Sequence, residues 1–442
     1  MAILPTIALE SNKQIKINFD GGDLSSDAGL LLIKEFASKI GFTKVINKLF
    51  KTNDTALFRH HTDASNLMQM IYQITSAYFK DDCADELTNE PVMNAILEKN
   101  GLASQPTLSR FFNRMDETTL KQFNEILRRM RDIVYSIRMP EQMLFDLDTS
   151  LLETYGSQEG EGFNYHYQSH GYHPVFCYDG LTGDLLKTEL REGTHYCSKG
   201  TGEFISPLLQ EYREKYPSMP LYARADSGFA SPSLYQTLEE NDCKYAIRLK
   251  ENACLRSLAA DEDVALFRAT QHNHVDYAVE FGEFMYKANS WSKERRVCFK
   301  IEKPYGQFVH LFTFIVNTME DLEPYQVIQF YCGRGRMENF IKEGKSGFDF
   351  SAVSSSSMVV NANRLQLHGL AYNLFNWFRR LALPASMRKQ QIDTIRLKLL
   401  KIAARAVRKA RYLIFKLCSS CPYKKEFYET LYNISRLKPL LI

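Results

Sequence analysis

The sequence predicts an α/β protein with a strand-rich core between two helical segments. Three observations favour this class. Residues 1–140 repeat apolar side chains at helical spacing, residues 141–254 alternate strand-like runs with a helical pattern, and helical spacing returns after residue 345. At 442 residues, with 45% hydrophobic and 24% charged residues, the chain is long enough for two or three domains with sizeable cores.

The core prediction rests on the order of elements between residues 141 and 250. A strand-like run is followed by two runs that pair across a turn, then by a helical pattern and two further runs. This is the element order of a ribonuclease H-like core, and we assign residues 141–254 and 326–383 to its two parts. The elements are Met143–Thr149, His173–Tyr178, Asp184–Arg191, Ser206–Tyr216, Leu221–Asp226 and Lys244–Leu249.

Acidic residues stand at the ends of two of these strands. Asp146 and Asp148 point to the same side of the first strand because side chains alternate with period two. Asp226 ends a later strand and is followed by a turn-forming Ser-Gly. Asp148 is favoured over Asp146 as the functional residue because it lies nearer the end of its strand. Asp146 remains the alternative.

A third acidic residue lies in a basic stretch near residue 340. A strand-like run, Gln326–Tyr331, ends at two glycines, and helical spacing follows. Arg334, Glu338 and Lys345 stand at positions i, i+4 and i+11, so all three can project from one helix face. A carboxylate would then lie between two cations. The alternative is a solvated surface helix with an Arg–Glu pair.

The pattern Y-x2-R-x3-E-x6-K, filled by Tyr331, Arg334, Glu338 and Lys345, resembles the signature of bacterial insertion-sequence transposases. In those enzymes the Glu is the third acidic residue of a DDE site. Further stretches extend the resemblance over most of the chain and are similar to the insertion-sequence family numbered thirteen-eighty. These stretches are Asp148-Thr-Ser150, Tyr155–Gly160, Leu190–His195 and Arg224–Phe229.

The resemblance implies a DDE transposase that cuts at the ends of an insertion sequence and joins the freed 3′ ends to target DNA. It also implies a homodimer on double-stranded DNA. Two rival functions stay open: a metal-dependent nuclease that cuts without joining, and a DNA-binding protein that has lost catalysis. Neither the resemblance nor the residues indicate an organic cofactor.

The catalytic and metal-binding residues predicted in this way are Asp148, Asp226 and Glu338. Carboxylate oxygens are preferred ligands of Mg²⁺, and two such ions can hold the attacking and leaving oxygens of a phosphodiester displacement. We therefore expect two Mg²⁺ ions, for which Mn²⁺ can substitute. The resemblance gives phosphate-binding roles to Tyr331, Arg334 and Lys345, with Arg336 and Lys342 as weaker candidates and His195 in a supporting role at most.

Outside the core, two regions carry further candidates. In the helical segment 1–140, predicted to bind DNA ends or mediate dimerisation, a helix-turn-helix would expose Ser109, Arg110, Asn113 and Arg114; a generic helical hairpin fits equally well. Residues 255–325 show alternating runs from Val275 to Val316 and are predicted to form a β-rich insertion. Its Trp291 has cations nearby and can stack on an unpaired base, although plain packing is the commoner role.

The C-terminal region, residues 384–442, is predicted to be basic and helical. From Arg379 to Lys438 there are sixteen Lys and Arg against three acids, a net charge of +13 in a chain whose total is only +3. A stripe at near 3.5-residue spacing is predicted to contact the DNA phosphate backbone without reading its sequence. The stripe consists of Lys398, Lys401, Arg405, Arg408 and Lys409.

Composition also narrows the cellular setting. No run approaches the roughly 20 apolar residues that a membrane-spanning helix needs, so we expect a cytoplasmic, nucleoid-associated protein with no membrane partner. The nine cysteines are odd in number and widely spread, which argues against a disulfide framework.

Overall fold

The structure is a computed structural model that describes residues 6–272 and 277–441, and it divides into two compact units. One unit comprises the chain up to Arg138 together with residues 343–352 and 359 onward. The other comprises residues 139–342 and 353–358. Val275, the predicted start of a strand, lies outside the described residues.

The α-helices of the described residues are numbered along the chain and vary from one turn to more than six. They are α1 (Leu30–Lys39), α2 (Phe42–Leu49), α3 (Asp63–Thr75), α4 (Cys83–Glu86), α5 (Pro91–Ile96), α6 (Gln105–Phe112), α7 (Glu117–Ile137), α8 (Thr201–Lys215), α9 (Pro232–Glu240), α10 (Ala253–Leu258), α11 (Ala260–Thr270), α12 (Pro324–Cys332), α13 (Gly335–Phe348), α14 (Met358–Leu381), α15 (Ile392–Ile395) and α16 (Lys424–Arg436). A 3₁₀ turn covers Ser227–Phe229 and a π-helical turn covers Arg396–Leu400.

The strands include several very short ones. They are β1 (Ile7–Ala8), β2 (Lys16–Ile17), β3 (Leu24–Ser25), β4 (Met143–Thr149), β5 (Leu152–Glu153), β6 (Gly162–Asn164), β7 (Ser169–Tyr172), β8 (Val175–Asp179), β9 (Leu185–Glu189), β10 (Leu221–Ala225), β11 (Cys243–Leu249), β12 (Ala278–Tyr286), β13 (Arg295–Lys303), β14 (Leu311–Asn317), β15 (Ala404–Lys409) and β16 (Tyr412–Leu417).

The unit that contains the acidic strand ends is built on an eight-stranded mixed sheet with the order β12-β13-β14-β11-β10-β4-β8-β9. Strands β4, β10 and β11 are parallel, and the hairpin β8–β9 lies antiparallel beside β4. The central strands are buried along most of their length, as expected for parallel strands covered on both faces. The predicted α/β class and the predicted strands and helices of residues 141–250 are confirmed, although α8 begins five residues earlier than expected.

The register of the central strands places the two acidic strand ends side by side. Strands β4 and β10 pair in parallel from Met143 opposite Leu221 to Leu147 opposite Ala225. The next residue after Leu147 is Asp148, and the next residue after Ala225 is Asp226. Because parallel strands end at the same edge of a sheet, the fold itself brings these carboxylates together.

The other unit is helical, and α14 lies at its centre with almost every side chain from Val360 to Phe378 buried. Phe378 packs edge-on against Phe36 of α1 at a ring distance of 5.6 Å. The polar side chains of α14 are bonded to neighbouring helices, since Asn363 accepts from Thr119 at 2.7 Å and Arg364 donates to Asp81 at 2.8 Å. The helical spacing predicted for residues 1–140 is confirmed by helices α1 to α7. In the described ranges, no helix has the length and apolarity needed to cross a bilayer.

The strand predicted over Gln326–Tyr331 is wrong, because these residues belong to helix α12. The helix begins with a capping box in which Glu323 and Gln326 satisfy each other's backbone N–H groups, and Pro324 occupies the first turn. Val327 and Ile328 are buried against the sheet. The start signal outweighs the β-branched composition that suggested a strand.

The β-rich insertion is also different from the prediction. Residues 253–270 form helices α10 and α11, and the alternating runs after them form β12, β13 and β14. These strands do not make a separate sheet. Strand β14 pairs with the edge of β11 over Leu249 to Ala246, so the three strands extend the central sheet by antiparallel pairing.

The helix predicted for the basic stripe is wrong as well. Residues 404–417 form an antiparallel hairpin, β15 and β16, whose base pairs with β3. Val407, Tyr412, Ile414 and Phe415 are residues that favour strands, and only the spacing of the cations suggested a helix. As a result Arg405 and Lys409 share one face of the hairpin, while Arg408 lies on the other.

Candidate active site

The two neighbouring aspartates are each fixed by one backbone hydrogen bond. Asp148 Oδ1 accepts from the backbone N–H of Thr149 at 2.9 Å. Asp226 caps the 3₁₀ turn that follows it, since its Oδ1 accepts from the N–H of Gly228 at 2.9 Å. In both residues the second carboxylate oxygen points toward another group, Arg334.

Arg334 links the two carboxylates. Its Nη1 lies 3.2 Å from Asp148 Oδ2, and its Nη2 lies 3.7 Å from Asp226 Oδ2. The side chain is 11% exposed and also lies beside Tyr331. Arg334 comes directly before helix α13, so the glycine-rich junction between α12 and α13 delivers a cation to the acidic strand ends.

Glu338 is close enough to Asp148 for its negative charge to affect the pKa of that residue. Burial raises the pKa of Asp148 to about 6, the neighbouring Arg334 opposes that rise, and the negative charges of Asp226 and Glu338 add to it. The exposed Glu338 stands in the first turn of α13, four residues after Arg334. The structure therefore brings the three predicted acidic residues into one electrostatic neighbourhood.

Asp146 has a different environment from Asp148. It is fully buried, and both of its oxygens accept from Arg224, from Nε and Nη2, at 2.7 Å each. The third nitrogen of Arg224, Nη1, donates to the carbonyl of Phe330 in α12 at 2.7 Å. Asp146 is therefore committed to an internal ion pair, and Asp148 is the aspartate of this strand that faces Asp226.

The cations predicted to hold phosphates are spread along α12 and α13. Tyr331 and Arg334 lie at the carboxylates, and burial raises the pKa of Tyr331 while Arg334 lowers it. Arg336 and Lys342 are exposed on α13. Lys345 follows Glu338 by seven residues, roughly 10 Å along the helix at its usual rise, so it lies two turns beyond Glu338 on the same helix.

Sequence reasoning missed Tyr167, which lies at the same carboxylates. Tyr167 lies in the turn between β6 and β7 of the small sheet β5-β7-β6, and it is close enough to Thr149 for that side chain to lower its pKa. Burial raises the pKa of Tyr167 to about 12, and the charges of Asp148 and Asp226 contribute. Thr149 also contacts the Cys197 sulfur at 3.4 Å. No sequence spacing links these residues, because only the tertiary fold brings them together.

Arg248 is a second residue that sequence reasoning missed. Strands β10 and β11 pair in parallel up to Ala225 and Ile247, and the next residues along the chain are Asp226 and Arg248. Arg248 is exposed and lies near Tyr331, whose pKa it helps to lower. Its position at the end of a strand next to the acidic strand ends was available from the sequence, since β11 was predicted over these residues.

Two other candidates, Trp291 and His195, contact neighbouring groups of the protein itself. Trp291 is 7% exposed and packs edge-on against Tyr235 and Tyr286, with ring distances of 5.3 and 5.4 Å, and the guanidinium of Arg295 lies 5.4 Å from its ring. Stacking on a base needs an open ring face, so the packing interpretation fits and the stacking interpretation does not. The His195 ring contacts the carbonyl of Lys199 in its own loop at 3.0 Å.

The remaining candidates belong to the helical unit. Arg110 and Asn113 of the α6 region are exposed and Ser109 is partly buried, whereas Arg114 is held by Asp63 at 2.9 Å. In the basic region Lys401 pairs with Asp27 at 2.6 Å and Lys398 donates to Gln390 at 3.2 Å. Arg114 and Lys401 therefore form ion pairs within the protein. Arg405, Arg408 and Lys409 are exposed on the hairpin.

The acidic side chains of the site have the chemistry that a divalent metal requires. Asp148, Asp226 and Glu338 supply hard carboxylate oxygens, which suits Mg²⁺ or Mn²⁺. Within residues 6–272 and 277–441, no three His, Cys, Asp or Glu side chains are already grouped closely enough to hold an ion. Arg334 contributes the positive charge between the two aspartates. The chemistry of the site fits a divalent cation, and the guanidinium occupies the place between its prospective ligands.

Comparison with known proteins identifies the class of enzyme. The family model described as transposase DDE domain group 1 matches residues 7–439, so the chain belongs to this family. The protein is accordingly a DNA transposase of the DDE class, an enzyme family that uses divalent metal ions. No curated protein matches the chain. Among solved structures the chain is similar to a piggyBac transposase synaptic complex with hairpin DNA, with a TM-score of 0.41 and 13% identity over 94% of this chain and 86% of that one.

Proposed function

We propose that this transposase cuts DNA at the ends of an insertion sequence and joins the freed 3′ ends to target DNA, using Asp148, Asp226 and Glu338. One observation carries the proposal. Two carboxylates end adjacent parallel strands in register, and a third carboxylate begins the helix that supplies Arg334 between them. Three unrelated acids would have no reason to lie around one arginine at one edge of the sheet.

The strand order supports assigning the core to the ribonuclease H-like class. Strands β4, β8 and β9 form a meander, a helix follows, and β10 and β11 add in parallel on the other side of β4. The first acidic residue then lies on the first strand of the core and the second lies after the fourth. We further assign the chain to the insertion-sequence family numbered thirteen-eighty, on the signature that runs from Tyr331 to Lys345.

The metal ions are proposed to be two Mg²⁺, held by Asp148, Asp226 and Glu338, with Mn²⁺ able to substitute. When bound, such ions stabilise the attacking and leaving oxygens of an in-line displacement at phosphorus. The carboxyl of Asp148, whose pKa is about 6, is ionised at neutral pH and is available as a ligand. The protein's own contribution is to hold the acids at one sheet edge and to place cations beside them.

The cations around the acids are proposed to orient DNA. Arg334 has a planar guanidinium that can hold a phosphate through two hydrogen bonds, and Tyr331 contacts it. Arg336, Lys342 and Lys345 continue along α13 and would follow the DNA backbone. Because two ends must be cut and joined together, we propose a homodimer on DNA, with the helical residues 1–140 serving end binding or dimer contacts.

The experiment uses labelled duplexes that carry the ends of the element, with cleavage and joining measured separately. Glu338→Gln and Asp226→Asn are expected to lose both activities by at least about 100-fold, because each removes a metal ligand without changing side-chain size. The exposed Glu320→Gln serves as the matched control. Unchanged joining by Glu338→Gln would overturn the assignment.

A metal exchange tests direct contact with the ion. Asp226→Cys replaces a hard oxygen with a soft sulfur ligand, which binds Mn²⁺ better than Mg²⁺. We expect this variant to be inactive with Mg²⁺ and to recover part of its cleavage with Mn²⁺. Cleavage without joining by the wild type would favour the nuclease alternative. Binding without either activity would favour a DNA-binding protein that has lost catalysis.

A further inference from the structure

The basic hairpin, residues 404–417, carries cations that have no acidic partner. Arg405, Arg408, Lys409, Arg411 and Lys416 contribute five positive charges, and the chain contains no acid between Asp393 and Glu426. All five side chains are exposed, and within the described residues none of them forms an ion pair with a carboxylate. They differ in this respect from Lys401 and Arg396, which pair with Asp27 and Asp393.

Two of these cations stand directly opposite each other. Strand pairing places Arg405 across from Lys416 on the same face of the hairpin. Like charges in facing positions destabilise a strand pair. An anion that lies over this face would remove the repulsion, so the hairpin is built for a negatively charged partner.

The hairpin is anchored at its base and free toward its tip. Ala404 and Arg405 pair with Ser25 and Leu24, and the N–H of Ala406 donates to the Asp23 carbonyl at 2.8 Å. From Arg408 to Ile414 every residue is exposed, with Tyr412 at 73% and Ile414 at 41%. Beyond the last residue paired with β3, the two strands continue together for four residues each, 406–409 and 412–415, roughly 13 Å at the usual rise of a strand.

The width of the hairpin fits the major groove of double-stranded DNA. The paired strands lie about 4.8 Å apart, and the major groove of B-form DNA, about 12 Å wide and about 8.5 Å deep, admits a two-stranded ribbon. The minor groove of undistorted B-form DNA, about 6 Å wide, is too narrow for the strand pair. Cations on both faces can reach the phosphates on either side of the groove. Exposed apolar groups at the tip can contact base edges, the thymine methyl in particular.

We infer that the basic hairpin enters the major groove of double-stranded DNA, with Arg408, Lys409, Arg411 and Tyr412 at the DNA surface. The inference rests on the proposed function, since it assigns a binding element to a protein that acts on DNA. It goes beyond that function by naming the element, the groove and the side chains. It also replaces phosphate contact by a basic helix with insertion of a strand pair.

The first test measures DNA affinity without divalent metal, so that catalysis is not required. The variant Arg408→Ala, Lys409→Ala, Arg411→Ala is compared with Arg268→Ala, Lys287→Ala, Lys293→Ala, which removes the same charge from exposed positions that have no proposed role in DNA binding. With a short mixed-sequence duplex, the hairpin variant is expected to bind at least about tenfold more weakly, and its salt slope should fall by about 0.9 for each phosphate that it no longer neutralises. The control variant should bind as the wild type does.

The second test identifies the groove. A duplex whose cytosines carry glucosylated hydroxymethyl groups fills the major groove, whereas a minor-groove ligand fills the other. The wild type should lose affinity for the first duplex and keep it for the second, and the hairpin variant should show no further loss on the first. Circular dichroism and thermal unfolding check that the variants are folded.

The outcomes separate this inference from the proposed function. If the hairpin variant binds both duplexes as the wild type does, while the wild type still cuts and joins DNA, the hairpin inference is wrong and the transposase function stands. Loss of affinity only with the minor-groove ligand also overturns it. If the wild type binds no DNA, both proposals fall.

Discussion

Arg224 and Asp146 form a buried ion pair between neighbouring strands, with two hydrogen bonds of 2.7 Å. The same guanidinium donates to the Phe330 carbonyl, and a side chain on Gly333 would collide with it. This pair therefore ties the sheet to the end of α12, directly before Arg334. Its role is to position the site, and its stability consequences can be measured.

Arg224→Met should destabilise the protein by about 3–5 kcal/mol, because it leaves the Asp146 carboxylate buried without a partner. The double variant Asp146→Leu, Arg224→Met should lose less, since no unpaired charge remains. Urea unfolding of the purified proteins checks both values. Equal losses in the single and double variants would show that packing, rather than charge, dominates at this position.

Asp148→Asn is expected to abolish activity and to stabilise the metal-free fold. Burial raises the pKa of Asp148 from its ordinary value of 3.8 to about 6, so above pH 6 the folded protein holds a charge that the unfolded chain carries more easily. By linkage this costs about 3 kcal/mol at neutral pH, and the neutral amide avoids the cost.

The stability difference between Asp148→Asn and the wild type should depend on pH. The contribution of Asp148 to stability is fully present below pH 3.8 and is lost as the pH rises through about 6. The advantage of Asp148→Asn over the wild type should therefore be largest near about pH 7.5 and smaller near about pH 5. Urea unfolding in EDTA at both pH values measures it, and an advantage that does not change with pH contradicts the assignment.

Trp291→Ala should unfold more easily by about 3–5 kcal/mol, as expected for loss of a buried aromatic ring. Under conditions where it remains folded, its DNA affinity should match that of the wild type, because the ring packs between Tyr235 and Tyr286. Tyr305→Ala, which removes an exposed ring from the same sheet region, is the control and should cost little. A selective loss of binding to DNA with unpaired ends would restore the stacking role.

Arg248→Ala should weaken DNA binding and reduce joining while leaving stability unchanged. Arg248 is exposed beside Asp226 and Tyr331, where it can contact a phosphate at the site. Removing one phosphate contact lowers the magnitude of the salt slope by about 0.9. The exposed Arg268→Ala of α11 removes an equal charge and should leave the slope as it is.

The central strands can be predicted from the sequence because they are buried. They therefore appear as short apolar runs, and two of these runs end at an aspartate. Asp148 and Asp226 are found in this way, and Glu338 from its spacing to Arg334 and from the family signature. The strand wrongly predicted over 326–331 contains the same β-branched residues, but the helix start at Glu323-Pro324 with Gln326 decides its structure.

Other features depend on contacts between distant residues. Tyr167 reaches Thr149 only because β5, β6 and β7 fold into a small sheet, and no local pattern records that contact. The cations of the basic stripe alone predict a helix, whereas the cross-strand partners Val407 and Ile414 decide its structure. The charged neighbours of Trp291 in sequence suggest an accessible ring, but three-dimensional packing sets its exposure.

The pairing of β3 with β15 links positions that are almost 400 residues apart along the polypeptide. Leu24 and Ser25 make up the entire strand on which the hairpin rests. A fragment trimmed to begin at α1 would keep every catalytic candidate and yet release the support of the hairpin. Removing residues before α1 should therefore destabilise the hairpin near the other end of the chain. DNA affinity would fall, while the active-site carboxylates would stay in place.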